Sequence, residues 1–279
     1  MKKIITLAFL AALLTTVVAT GCTGTGNNNG SAVTNGNAEK PDLQLALYYV
    51  KFTRDESYLV REVHNIPYTE DEPLAAVQSL ITNQPNTPGA TRVLPPDTRV
   101  LGVEIRNGAA TVDFTREILQ ANVGSAGEAM GIMSIVNTLT EFPGIEKVSF
   151  TIEGKIDDRT MDWWGHVGLY DQPFQRDVSM VYEPAIWISQ PEPNQSVGAP
   201  MRVWGSALVN GDKIMIKLVD ESGQVLANET AMVHPGIRSD FEVSLKYEAA
   251  SGKGDLVVSG PDGRNRGNDF TVKTTVLWP

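Results

Sequence analysis

Histidine and serine are the first side chains to consider as parts of a catalytic site. The chain has three histidines, and none of them lies at the spacing of an HExxH motif or of another metal-ligand motif. The run GSAG at residues 124–127 differs by one position from a GxSxG nucleophile elbow and is better explained as the start of a helix. No zinc site and no catalytic serine are therefore predicted. The three histidines, predicted to be packing or surface residues, are His64, His166 and His234.

Neighbouring carboxylates offer a second kind of chemistry, general acid and base catalysis. The two pairs, Asp71-Glu72 and Asp157-Asp158, lie in polar stretches, where solvated carboxylates are far more common than catalytic ones. Residues 262–269 are rich in acidic and glycine residues, but two arginines stand where a calcium loop places oxygen ligands, so this stretch is predicted to be a hairpin tip. Nucleotide-binding loops are absent from the sequence, and neither a metal nor a cofactor is predicted.

Aromatic residues are the remaining candidates for binding. Trp163 and Trp164, close to Tyr170, fit two interpretations: they pack between two domains, or they form a stacking platform for a sugar ring. Packing is the favoured interpretation, because adjacent tryptophans on a turn rarely both point outward. Trp187 and Trp204 fall in predicted strands and are predicted to lie in a β-sandwich core.

Cys22 is the only cysteine of the 279 residues, so an intramolecular disulfide and a CxxC site are both excluded. Lys2 and Lys3 precede an apolar stretch at 4–18 that is short for a membrane-spanning helix and typical of a signal peptide. The following residues, Ala-Thr-Gly-Cys at 19–22, resemble a bacterial lipobox, in which the cysteine receives the lipid. The sequence therefore predicts a signal peptide at 1–21, lipidation at Cys22 and an extracytoplasmic protein anchored to the cell membrane. A plain secretory signal is the alternative.

The composition limits the partners of the mature protein. Removal of Lys2 and Lys3 with the signal would take the formal charge from −10 to −12, which argues against binding to nucleic acid and to anionic lipid. Residues 22–40 are rich in Gly, Asn, Thr and Ser, and they are predicted to form a flexible tether after the lipidated cysteine. The predicted membrane attachment is therefore the lipid alone.

Two different periodicities follow the tether. At 41–155 strands alternate with helices in the order ββαββαβ, which predicts an α+β sandwich with both helices on one side of a sheet. Asn107-Gly108 lies between two alternating apolar runs and predicts a type I′ hairpin. Ser125 and Glu128 predict a capping box at the start of the second helix. The predicted strands are 43–53, 58–67, 101–105, 110–114 and 147–153, and the predicted helices are 71–82 and the one that begins at Ser125.

The second periodicity, at 185–279, contains no helical pattern. Seven short alternating runs separated by turn residues predict an all-β immunoglobulin-like sandwich without a cysteine pair. Residues 156–184 are polar and turn-like and are predicted to be an inter-domain segment. The regions 43–155 and 185–279 are each expected to fold alone. The seven predicted strands are 186–189, 201–207, 213–219, 224–233, 240–247, 255–259 and 270–277.

Several stretches carry a family resemblance. The runs LPPDTRV at 94–100, NGAATVDF at 107–114 and TLTEFPGI at 138–145 resemble, in this order, the GerMN domain associated with sporulation and spore germination. The runs ISQP at 188–191, VWG at 203–205 and LVDESGQVLA at 218–227 resemble the immunoglobulin-like domain that often follows GerMN in germination lipoproteins. The resemblance implies association through small α/β modules of the kind that build rings in sporulation machinery. Since GerMN domains also occur in organisms that form no spores, it does not by itself establish a germination role.

Together these features predict a non-enzymatic, membrane-anchored lipoprotein of the cell envelope. Its expected action is protein–protein interaction as a scaffold in sporulation, spore germination or cell-wall maintenance. The expected partners are envelope or sporulation proteins, or a second copy of the chain. The alternative is a peptidoglycan-binding accessory protein for wall hydrolases, for which Trp163 and Trp164 are the glycan-binding candidates; a hydrolase with an unrecognised site is a third hypothesis.

Overall fold

The structure is a computed structural model that describes residues 40–121, 123–248, 251–262 and 269–279. Two domains follow one another, and β9 is the first strand of the second. The elements of the first are β1 (Leu43–Phe52), β2 (Ser57–Ile66), α1 (Glu72–Thr82), β3 (Ala90–Thr91), β4 (Val100–Arg106), β5 (Ala109–Phe114), α2 (Gly124–Leu139), β6 (Lys147–Ile152), α3 (Asp158–Met161), β7 (Phe174–Gln175) and β8 (Val181–Glu183). Those of the second are β9 (Ile186–Gln190), β10 (Met201–Ala207), β11 (Lys213–Asp220), β12 (Val225–Met232), β13 (Ser239–Leu245), β14 (Gly252–Pro261) and β15 (Asp269–Trp278).

The first domain has the predicted α+β class, but its strands form two sheets rather than one. The sheets have the orders β3-β1-β2-β8 and β4-β5-β6-β7. β5 and β6 run parallel, and α2 supplies the crossover that a parallel pair requires. Helices α1 and α2 pack against β1, and the two sheets share one hydrophobic core. The expectation of a single sheet was wrong because a period of two identifies the buried face of a strand but not its neighbour.

The β4–β5 hairpin confirms the predicted turn. Asn107 and Gly108 have φ angles of 51° and 77°, the left-handed pair that a type I′ turn requires. Arg106 is opposite Ala109, so the turn contains two residues and fixes the register of the hairpin.

The start of α2 differs from the predicted capping box. The helix begins at Gly124, and its N-cap residue Val123 provides no side-chain hydrogen bond. Glu128 instead lies in the interior and accepts hydrogen bonds from the backbone N–H groups of His166 and Val167, each at 3.1 Å. The capping-box prediction was wrong because these distant N–H groups compete successfully for the carboxylate.

Residues 156–184, expected to lie between the domains, contribute to the first domain. β7 pairs with β6, and β8 pairs in parallel with β2. Trp163, Leu169 and Val181 are buried in the first core. This core therefore draws on residues beyond Lys155.

The second domain is the predicted immunoglobulin-like sandwich. Its sheets have the orders β13-β10-β9 and β12-β11-β14-β15, and the seven strands confirm the seven predicted runs. Inward residues of both sheets form a separate core, which Trp278 closes by packing edge-on against Tyr247. Pro261 and Asp269 are paired across β14 and β15, but the hairpin tip predicted between them is largely outside the described residues.

Candidate functional site

Strand β4, at one end of the sheet β4-β5-β6-β7 of the first domain, is the first candidate binding surface. It pairs with β5 and forms one end of its sheet. Leu101 and Ile105 are 50% and 46% exposed, although both belong to the apolar alternation of the hairpin. Within the described ranges, no backbone hydrogen bond joins β4 to any strand except β5. Such an edge has backbone donors and acceptors available for another strand.

The two tryptophans predicted as docking or glycan-binding residues lie inside the first domain. Trp163 is 0% exposed and packs against the rings of Phe114 and Phe150. Trp164 is 9% exposed, and its indole N–H donates to the carbonyl of Ile118. Neither ring has a face available to a sugar, and the residues they contact belong to the first domain. Trp163 lies beside β5 and β6, and Trp164 lies beside Gly131 of α2, positions that their place in the sequence does not reveal.

A different tryptophan, Trp204, is exposed. It is 43% exposed on the outer face of β10 and lines a cleft of about 360 Å³. The prediction that Trp204 lies in the sandwich core was wrong. The sequence did contain a signal: Met201 and Val203 alternate with Arg202 and Trp204, so an outward arginine implies an outward tryptophan.

The junction between the domains is built around Trp187. Successive residues of a strand face opposite sides, and β9 uses both: Ile186 enters the second core, whereas Trp187 enters the first. The guanidinium carbons of Arg238 and Arg61 lie 4.2 Å and 5.2 Å from the centroid of the Trp187 ring. Cation–π contacts of this kind are stronger when they are desolvated.

Arg238 also joins the second domain to β8 and the residues after it. Its guanidinium donates to the carbonyl oxygens of Val181 at 2.6 Å, Pro184 at 2.8 Å and Ala185 at 3.4 Å. Burial lowers the pKa of Arg238 to about 9, and the nearby positive charges of Arg61 and Arg176 add to this effect. These bonds fix the orientation of the second domain on the first.

A buried ionic network lies next to this junction. Glu141 accepts hydrogen bonds from Tyr48 at 2.5 Å, from Arg61 at 3.0 Å and from Arg176 at 2.8 Å. Burial alone would raise the pKa of Glu141, but the two arginines and the tyrosine hydroxyl outweigh it and lower the pKa to about 2. The network sets one carboxylate between two arginines and joins β1, β2, the end of α2 and the segment after β7. Its geometry is that of a structural clamp.

Two of the three histidines pair with buried carboxylates. His64 Nε2 lies 2.8 Å from Glu62, which also accepts from the backbone N–H groups of Asn86 and Thr87. Burial alone would raise the pKa of Glu62, but these backbone and histidine hydrogen bonds keep it below its ordinary value. His166 Nδ1 lies 3.0 Å from Glu128. Both carboxylates therefore hold chain segments in place.

The first aspartate of each acidic pair considered for catalysis caps a helix. Asp71 accepts from the N–H of Leu74, and Asp157 accepts from that of Thr160. Among the residues that the structure describes, no group of three or more His, Cys, Asp and Glu side chains is placed to hold a metal ion.

Cys22, the signal peptide and the tether lie outside the described residues. In the part of the chain that is described, no helix is long and apolar enough to cross a membrane.

Several solved structures are similar to part of the chain. The tandem GerMN domains of the sporulation protein GerM from Bacillus subtilis match with 23% identity and a TM-score of 0.41, over 54% of this chain and 51% of that one. This chain thus spans about half the length of that structure. The first GerMN domain of the same protein matches with 26% identity and a TM-score of 0.39, over 48% and 96%. A putative lipoprotein from Clostridium perfringens matches with 20% identity and a TM-score of 0.35, over 50% and 90%.

Two family models match the chain, whereas a comparison with curated proteins found no match. Residues 46–158 match the family Germane, described as sporulation and spore germination. Residues 185–265 match Gmad2, described as the immunoglobulin-like domain of bacterial spore germination. The chain therefore carries a GerMN-type sporulation and germination domain followed by a spore-germination immunoglobulin-like domain.

Proposed function

We propose that this chain is a non-enzymatic scaffold of the cell envelope that acts by associating with a second copy of itself through β4. The kinds of domain it carries support a role in sporulation or germination. Lipidation at Cys22 would hold the scaffold at the outer face of the membrane.

The open edge of β4 is the observation that carries this proposal. Monomeric proteins usually protect a sheet edge by shortening, covering, bulging or charging it. β4 is irregular between Val100 and Gly102, but from Gly102 to Arg106 it pairs regularly with β5. β4 has seven residues, whereas the other end of its sheet, β7, has two. A strand of this length can add a partner strand through backbone hydrogen bonds.

The pattern of side chains on β4 favours a second copy as the partner. Leu101 and Ile105 lie two residues on either side of Val103, which is the centre of the strand. Antiparallel pairing centred near Val103 would bring Leu101 of each copy close to Ile105 of the other copy. The exposed apolar residues would then cover one another in a two-fold symmetric contact.

Sedimentation velocity of the purified full chain over a range of concentrations tests the proposal. We expect a reversible dimer in the wild type, and we expect Ile105→Lys to shift it to monomer, because a lysine on an edge strand opposes strand addition. Ile156→Lys is the matched control, since Ile156 is similarly exposed but lies outside the strands. A monomer at all concentrations, or equal dissociation by both substitutions, would contradict β4-mediated self-association. Capture of a different envelope protein through β4 would identify a hetero-association instead.

A further inference from the structure

The outer face of β10 forms a second, independent candidate site in the immunoglobulin-like domain. Trp204, Gln190, Gln195 and Arg202 line a cleft of about 360 Å³, which we call the Trp204 cleft. Clefts that bind small ligands have volumes of roughly 300–1,000 Å³. The cleft is thus large enough for part of a chain-like ligand or for a small one.

Folding of the sandwich does not explain the position of Trp204. Met201 and Val203 supply the inward side chains of β10, while Trp204 points to the opposite face and remains 43% exposed. All five tryptophans of the chain lie in described residues, and the other four are buried. An indole on an outward strand position, beside a concave surface, leaves part of its ring accessible to a ligand.

The glutamine side chains at the cleft are held in place by short-range hydrogen bonds. Gln195 Oε1 accepts from the N–H of Glu192 at 2.7 Å, and Gln190 Nε2 donates to the Glu192 carboxylate at 3.3 Å. Within the described part of the chain, these bonds leave the Gln195 amino group and the Gln190 carbonyl oxygen without another partner. The cleft therefore presents one oriented donor and one oriented acceptor beside the indole.

The charge at the cleft is balanced. Arg202 and Glu242 form a two-fold hydrogen-bonded ion pair, with distances of 2.6 Å and 3.0 Å. With its charge neutralised by Glu242, Arg202 does not select an anionic ligand. Aromatic, amide and paired charged groups together suit an uncharged ligand with both apolar C–H faces and hydroxyl groups.

We propose that the Trp204 cleft binds a neutral saccharide, with one pyranose ring stacked on the indole of Trp204. The partly positive C–H bonds of a pyranose face match the negative face of an aromatic ring. The glutamine groups can exchange hydrogen bonds with its hydroxyl or acetamido substituents. A proline-rich peptide is less well matched, because grooves for such peptides are lined by several aromatic rings and this cleft has one.

The cleft lies on the same sheet face as the junction between the domains. Ser206, two residues after Trp204 on β10, is buried and opposite Trp187. Successive residues on one face of a strand are about 7 Å apart. The first domain therefore lies next to the cleft and holds β10 in a fixed orientation. The proposed binding site lies within one copy of the chain, so it does not depend on self-association through β4.

Titration of the purified full chain with chitotetraose and cellotetraose, followed by tryptophan fluorescence and calorimetry, tests the proposal. We expect binding to at least one tetrasaccharide, with a change in the emission of Trp204. Trp204→Ala should weaken binding by roughly tenfold or more, as for other central aromatic contacts, while Trp204→Phe should retain part of it. Tyr170→Ala, which removes an exposed aromatic ring of the first domain, is the matched control and should bind as wild type does.

Sedimentation with purified peptidoglycan then tests whether the pyranose that binds Trp204 belongs to a cell-wall glycan or to a free oligosaccharide. Because Trp204 is partly exposed and lies outside the sandwich core, Trp204→Ala should remain folded, and its unfolding midpoint, measured beside binding, separates lost binding from lost folding. Equal saccharide affinity of wild type and Trp204→Ala would overturn the proposal. So would absence of binding to both tetrasaccharides and to peptidoglycan, or binding of a decaproline peptide in their place.

Discussion

Replacing Glu141 by glutamine removes the only acid of the network formed with Tyr48, Arg61 and Arg176, while the size of the side chain is kept. The pKa of Glu141 falls from 4.5 to about 2 in the folded protein. Since one pKa unit corresponds to about 1.4 kcal/mol, the ionised carboxylate stabilises the fold by roughly 3 kcal/mol relative to the protonated one. Glutamine resembles the protonated form, so Glu141→Gln should lose about this amount at pH 7.

The pH dependence of this effect has a defined sign. A carboxyl group whose pKa is lower in the folded state binds more protons when unfolded, so its contribution is complete above the unfolded pKa near 4.5. It is lost as the pH falls from about 5 toward 2. The wild type and Glu141→Gln should therefore differ most at neutral pH and converge near pH 2.

Urea unfolding of the full chain at several pH values, followed by tryptophan fluorescence, measures this difference. Glu153→Gln is the control, because Glu153 forms an ion pair with Arg116 in the same domain but on its surface. An exposed pair contributes little, so this variant should follow the wild-type profile. A Glu141→Gln profile parallel to that of wild type between pH 7 and pH 3 would refute the assignment of the low pKa to Glu141.

Two further predictions concern the anchor and the first domain. Cys22→Ala should abolish incorporation of labelled fatty acid and release the protein from membranes. Thr23→Ala, the control, should do neither. Recovery of Cys22→Ala with membranes at the wild-type level would indicate another attachment. A fragment of residues 40–155 should lack the cooperative thermal transition that 40–279 shows, because the fragment omits the buried Trp163 and Val181. Loss of one buried tryptophan alone lowers the free energy of unfolding by roughly 3–5 kcal/mol. Circular dichroism measures this, and a sharp transition in the short fragment would contradict it.

Much of the secondary structure could be predicted from sequence because its causes are local. Asn107 and Gly108 tolerate positive φ, which almost alone determines the hairpin between β4 and β5. In the same way, alternating apolar residues and turn dipeptides located the seven strands of the second domain. The helix predicted at 71–82 corresponds to α1, which has Asp71 as its N-cap residue and a proline in its first turn.

The candidate sites were less predictable, because exposure depends on what the rest of the chain covers. Trp163 and Trp164 were predicted to pack between the two domains, with a sugar-binding platform as the alternative, whereas the core of the first domain encloses both. Trp204 has the same chemistry but is left outside its sandwich. The alternation with Arg202 was a usable local signal, whereas nothing near Trp163 in sequence indicates that Phe114 and Phe150 surround it.

The sequence by itself determined the element types, the turn at Asn107-Gly108, the order of the two domains and, through the similarity of its motifs, their families. Periodicity, backbone preference and turn chemistry act over a few residues and are therefore readable along the chain. Only the tertiary structure decided that the strands of the first domain form two sheets and that β9 contributes side chains to both cores. It also decided that Glu128 accepts hydrogen bonds from the segment at His166 rather than from the start of its own helix. Those outcomes depend on competition between partners far apart in sequence, and burial settles that competition only when the whole chain has packed.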